Sequence, residues 1–178
     1  LDPNFVSMIE ETIPGLVDNG RQLAGEVMDK AKNWIDNLQP LAPFTDAMKK
    51  SESSGDYESV NTKGYMGAYQ FGEDRLTDYK KATGKDFTQE EFLGSKELQD
   101  EVFDWHVDDI QKYMSKTGLD SWVGKKILGV EVTLDGLVAV AHLGGKTGLK
   151  KFLESDGKYN PADAYGTTLK DYLAKFGK

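Results

Sequence analysis

Ser51-Glu52-Ser53-Ser54-Gly55-Asp56-Tyr57-Glu58-Ser59-Val60-Asn61-Thr62-Lys63-Gly64-Tyr65-Met66-Gly67-Ala68-Tyr69-Gln70-Phe71-Gly72 is the stretch around which the chain is organised. Just before it, Pro43, Phe44, Ala47, Met48 and Ser51 keep the i, i+3, i+4 spacing of an amphipathic helix, and Ser53-Ser54-Gly55 supplies a stop. Glu52 therefore falls in the last turn of a helix. The partial negative charge of a helix C-terminus disfavours an anion there, and a carboxyl that holds its proton is a general acid.

Beyond Glu52, Tyr57–Val60 and Tyr65–Phe71 carry strand-like residues, joined by a turn at Asn61–Gly64. The expectation is a small hairpin forming one wall of a cleft and presenting Tyr65, Tyr69 and Gln70. Flat apolar faces beside hydrogen-bonding groups suit a sugar ring.

Glu52-Ser53-Ser54-Gly55 looks like the Glu-Ser-x-Gly motif of the lysozyme-like superfamily of peptidoglycan glycosidases, which includes goose-type lysozymes, lytic transglycosylases and resuscitation-promoting factors. Gly64-Tyr65-Met66-Gly67-Ala68-Tyr69-Gln70 is similar to their Gly-x-x-Gly-x-x-Gln block, at a spacing that fits. Ala139-Val140-Ala141-His142-Leu143-Gly144 resembles the Ala-Tyr-Asn-x-Gly helix of the transglycosylases, with His142 and Leu143 where tyrosine and asparagine are usual. The resemblance covers roughly three quarters of the chain, from Pro43 on, in short motifs.

The resemblance implies a mainly α (α+β lysozyme-like) fold, a helical domain with one small β-hairpin lining the active-site cleft. It implies cleavage of the β-1,4 bond between N-acetylmuramic acid and N-acetylglucosamine, with Glu52 as general acid and no cofactor. Such an acid works near neutral pH when a semi-apolar pocket keeps it protonated. Asp56 is the candidate second catalytic carboxylate, against a plainer role in a turn, and it tips the expectation toward a hydrolysing muramidase. Lytic transglycosylases instead use one glutamate as acid and then base, closing the muramic 6-hydroxyl onto the anomeric carbon. Ser53, Tyr65, Tyr69, Gln70, His142 and Tyr172 are the substrate-site candidates. Tyr172 is read either as the late-helix tyrosine that in relatives touches the glutamate or, at its core spacing, as a plain core residue, the commoner role. From another class, a non-catalytic glycan-binding or structural module of a phage or secretion particle remains the rival.

The 178 residues suit one domain with an arm. Residues 1–42 are expected to form a helical arm, with Phe5, Met8 and Ile9 on one helix and Leu23, Val27, Ala31, Trp34, Ile35 and Leu38 on another. A stiff Gln39–Pro43 linker then leads into a catalytic domain at 43–178. The arm serves either as a layer on that domain or as a dock for a phage-tail or secretion partner.

Helices are expected from Glu73 to Gly84, after the Thr88 capping box, from Ser95 to Gly118, from Thr133 to Gly144, through Leu149–Leu153, and after Thr167 or Thr168. A small hairpin or extended turn is expected at Ile127–Val132.

A net charge of −8 without a basic stripe argues against nucleic acid. No apolar run reaches the roughly 20 residues of a membrane span. Without cysteine, disulfides, thiol catalysis and thiolate zinc sites are absent. The two histidines, His106 and His142, lack ligand spacing, so no metal is expected. His106 reads as a partly exposed structural residue. The chain opens at Leu1 with no leader pattern, as a processed, trimmed or partial chain would. The resemblance places its action on peptidoglycan in the periplasm or at the cell wall.

Overall fold

The computed structural model describes residues 41–177, together with Gln22 and 24–26, which are helical. The chain divides into two units, Leu1–Pro40 and Leu41–Lys178. The expected apolar faces of the arm lie outside the described residues.

In the second unit the helices are α1 (Leu41–Ser53), α2 (Glu73–Thr83), α3 (Gln89–Leu93), α4 (Lys96–Thr117), α5 (Leu134–Glu154) and α6 (Leu169–Phe176). A 3₁₀ turn spans Leu119–Trp122, and β1 (Lys126–Ile127) pairs antiparallel with β2 (Val130–Glu131). The domain is mainly helical with one small two-stranded hairpin. Among the described residues, no helix is long and apolar enough to cross a membrane.

Local chemistry sets these boundaries. Thr88 with Glu91, and Thr168 with Asp171, form capping boxes. Ser95 and Thr133 accept the backbone N–H three residues on, so each satisfies a donor the helix leaves free. Gly84 and Gly118 end α2 and α4 in the left-handed conformation. Helix α1 is already under way at Leu41, inside the expected Gln39–Pro43 linker.

The core is aromatic on the α1–α4 side. Tyr69 stacks on Phe103 at 4.1 Å between centroids, Phe71 packs edge-on to Phe92, and Phe44 meets Phe176 edge-on. On the other side Leu137–Ala141 of α5 are all buried, so this helix runs through the interior as its apolar sequence requires. Helix α6 packs closely on α5. A Cβ at Gly136 would lie 2.8 Å from Leu173, and one at Gly144 would lie 2.8 Å from Leu169. Gly145 (φ 72°, ψ 172°) breaks the helical path of α5, where the sequence places a stop.

The hairpin does not stand where it was expected. Residues 57–71 form a compact loop with single bridges, Val60 to Met66 and Met66 to Phe71. Gly64, Gly67 and Gln70 all take positive φ within seven residues, so no extended run is long enough to propagate a ladder. The two-stranded ladder forms instead at Lys126–Glu131. The wall beside Glu52 is therefore a loop.

Candidate active site

Glu52 ends α1 with its side chain 15% exposed. The Tyr172 hydroxyl donates to its Oε1 at 2.5 Å, across 120 residues of sequence. Phe44 and Phe176 join the same two helices, and Lys175 donates to Ser51 at 2.6 Å, so α6 is fastened alongside the end of α1. Burial, followed by the charge of Glu52 and the hydrogen bond to it, raises the Tyr172 phenol far above its ordinary range, which keeps it a donor.

On the other flank, His142 Nε2 lies 3.7 Å from Glu52 Oε1 and 3.0 Å from the Tyr69 carbonyl oxygen. Its Nδ1 is 3.0 Å from His106 Nε2, and His106 Nδ1 accepts from Arg75 Nε at 2.8 Å. Arg75 also binds Asp109 at 2.6 Å and lies over the Trp105 ring at 4.3 Å. Lys146 pairs with Asp109 from beyond the α5 break. Burial works against ionisation of Asp109, but the hydrogen bonds from Lys146 and Arg75 outweigh it and hold the carboxyl below its usual range.

Burial lowers both histidines. His106 is pushed furthest, helped by His142, Arg75 and Lys146. For His142 the charge of Glu52 and the Tyr69 carbonyl pull the other way without reversing the shift. Both rings are neutral at neutral pH.

A cleft of about 1100 Å³ opens beside this chain, lined by Tyr65, Gln70, Arg75, His106, His142 and Lys146 among others. It brings three expected substrate-site residues, Tyr65, Gln70 and His142, to one wall system. Tyr65 is 44% exposed there. Gln70 holds a left-handed backbone (φ 56°), and its side chain donates to the Gly67 carbonyl at 3.0 Å, closing the turn on itself.

Three expectations are corrected. Tyr69 does not face the cleft: its ring is fully buried and its hydroxyl donates to Asp100 at 2.6 Å. The turn at Gly67–Gln70 abolishes the alternation that would have put it beside Tyr65. Ser53 is committed to the loop, donating to the Ala68 carbonyl at 2.8 Å. Asp56 is exposed and accepts from the Glu58 N–H at 2.9 Å, in the turn role that was the plainer reading.

Arg75, Asp109, Lys146, Gln99 and Asp100 escaped the sequence reading, and His106 was misread as partly exposed. It is 5% exposed. A signal existed: Gln99, Phe103, His106 and Ile110 repeat at three and four residues, on the buried face of α4. Compared with known proteins, the chain matches no family model, no curated protein and no solved structure.

Proposed function

We propose that the protein is a peptidoglycan glycosidase that cleaves the N-acetylmuramic acid–N-acetylglucosamine bond with Glu52 as general acid, on a lysozyme-like fold. The observation that carries the proposal is the setting of Glu52. Its carboxyl lies in the last turn of a helix, takes the Tyr172 hydroxyl on one flank and faces His142 on the other, and His142 in turn lines the cleft that exposes Tyr65. Glu52 protonates the glycosidic oxygen as the C–O bond breaks, and positive charge develops at the anomeric carbon. The resulting carboxylate, anchored by Tyr172, then accepts a proton from the attacking hydroxyl.

If that hydroxyl belongs to water, the enzyme is a muramidase. The turn bond of Asp56 favours a second reading, in which Glu52 acts alone and the muramic 6-hydroxyl closes onto the anomeric carbon as in a lytic transglycosylase. Mass spectrometry of soluble products from purified peptidoglycan separates the two. Reducing muropeptides mark hydrolysis, and 1,6-anhydro products, lighter by one water, mark transglycosylation. Glu52→Gln is expected to abolish release while leaving folding and glycan binding intact, because the amide cannot supply the proton. A wild-type chain that binds glycan and releases nothing would overturn the proposal in favour of a binding or structural module.

A further inference from the structure

The hydrogen-bond chain that ends beside Glu52 has a direction, and its two ends fix it. A guanidinium has only donors, so Arg75 Nε gives its proton to His106 Nδ1, which must be the bare nitrogen. His106 then carries its proton on Nε2 and donates to His142 Nδ1, which must be bare in turn. The proton of His142 is left on Nε2, facing the Tyr69 carbonyl, a group that only accepts. Each ring thus has one tautomer available. A second proton on either would have to occupy a nitrogen that already receives an N–H.

Both neighbours of Glu52 address the same oxygen. Tyr172 donates to Oε1, and His142 Nε2 is nearest to Oε1 as well. In a protonated carboxyl the carbonyl oxygen is the better acceptor, so the proton belongs on Oε2. At 3.7 Å the His142 N–H is beyond hydrogen-bond reach of Oε1 and is given to Tyr69 instead.

We propose that His142 is a positioning residue for Glu52, locked by Arg75 and His106 as a neutral ring whose Nε2–H edge faces Oε1 beside the Tyr172 hydroxyl, so that Oε1 is the accepting oxygen and Oε2 the proton-carrying one. This rests on the glycosidase reading. The charged or titratable groups around the two rings are Glu52 of α1, Arg75 and Asp78 of α2, Asp109 of α4, Lys146 of α5 and Tyr172 of α6. Arg75, which touches His106 directly, is the one that sets the tautomer.

The test joins a spectroscopic readout with turnover, both on the full chain. Long-range proton–nitrogen NMR of the wild type should show both rings as neutral Nε2–H tautomers from about pH 6.5, the ordinary histidine value, to about pH 8. His142→Phe should lower kcat about tenfold on peptidoglycan with KM unchanged, whereas His142→Gln, whose amide can place a donor near the same point, should recover activity to within about threefold of wild type. Arg75→Met should free His106 Nδ1, so that a histidine ionisation and an acid limb in kcat appear within that window. An Nδ1–H signal or a titration within that window in the wild type, or a His142→Phe enzyme with wild-type kcat, would overturn the proposal. Should the wild type release no fragments, the glycosidase reading falls and takes this role with it, whatever the tautomers. Fragment release together with an Nδ1–H ring overturns the positioning alone.

Discussion

Two polar connectors, residues 54–72 and 155–168, are built in opposite ways. The second is tied mainly to its own neighbourhood. Asp163 accepts from the N–H groups of Tyr165 and Thr167, Ser155 accepts from Tyr159, and Asn160 accepts from Lys170. The first is tied across the fold. Gln99 of α4 is completely buried, accepts from Ala68 N–H at 2.9 Å, and donates to the carbonyls of Tyr57 and Phe92. Asp100 takes the hydroxyls of Tyr57 and Tyr69 together, while Ser53 and His142 hold the carbonyls of Ala68 and Tyr69. The difference is that the connector following Glu52 is set largely by distant side chains, so its shape depends on the helices that carry them.

The largest effect is expected from Gln99→Leu, which strands the buried Ala68 N–H and the Tyr57 carbonyl and takes one of the donors from the Phe92 carbonyl. Leaving buried polar groups unpaired costs about 1–3 kcal/mol each, so a loss of about 3–5 kcal/mol should appear in denaturant unfolding. A loss under about 1 kcal/mol would mean that the connector holds itself, as the second one does. Gly67→Ala comes next. Its Cβ would lie 2.2 Å from Gln99 Oε1 on a backbone with φ +78°, so the substitution attacks the same tie from the loop side. About 2 kcal/mol is expected, read by thermal melting, together with lost turnover.

Acidification should reach the first connector through the histidines. Their folded pKa values lie below the ordinary value of 6.5, so the unfolded chain binds protons that the folded chain refuses. Stability should therefore fall as pH drops below about 6.5, by up to about 1.4 kcal/mol per pH unit for each ring, until the folded forms protonate. Asp109, whose folded pKa is depressed, adds a further loss only below its ordinary value of 3.8. Unfolding midpoints from pH 8 to 5 for wild type and His106→Asn check this: the substitution should flatten the slope. The smallest effect is expected from Asp163→Ala, about 0.5–1 kcal/mol, since its two donors lie near water.

The same contrast shows what the sequence reveals and why it stops. Helix limits were legible because they are local: the Thr88 and Thr168 boxes and the Gly84 and Gly118 stops are settled within four residues. Glu52 at a helix end and Tyr172 on an apolar helix face were legible for the same reason. The 57–71 loop was not, since Gln99 and Asp100 fix it from 31 to 43 residues away. Tyr69 shows the cost: strand alternation placed its ring in the cleft, and a left-handed Gln70 turns it into the core. The Arg75–His106–His142 chain joins three helices, and only the α4 face hinted at His106.

The 120 residues between Glu52 and Tyr172 also set an order in time. During synthesis, the glutamate is made long before the helix that brings its hydroxyl partner. A nascent chain arrested before Leu169 carries the acid but not the donor that anchors it, and it also lacks the Phe176 edge against Phe44. Completion of the site thus coincides with docking of α6, so an interrupted translation product is left with an unfinished site.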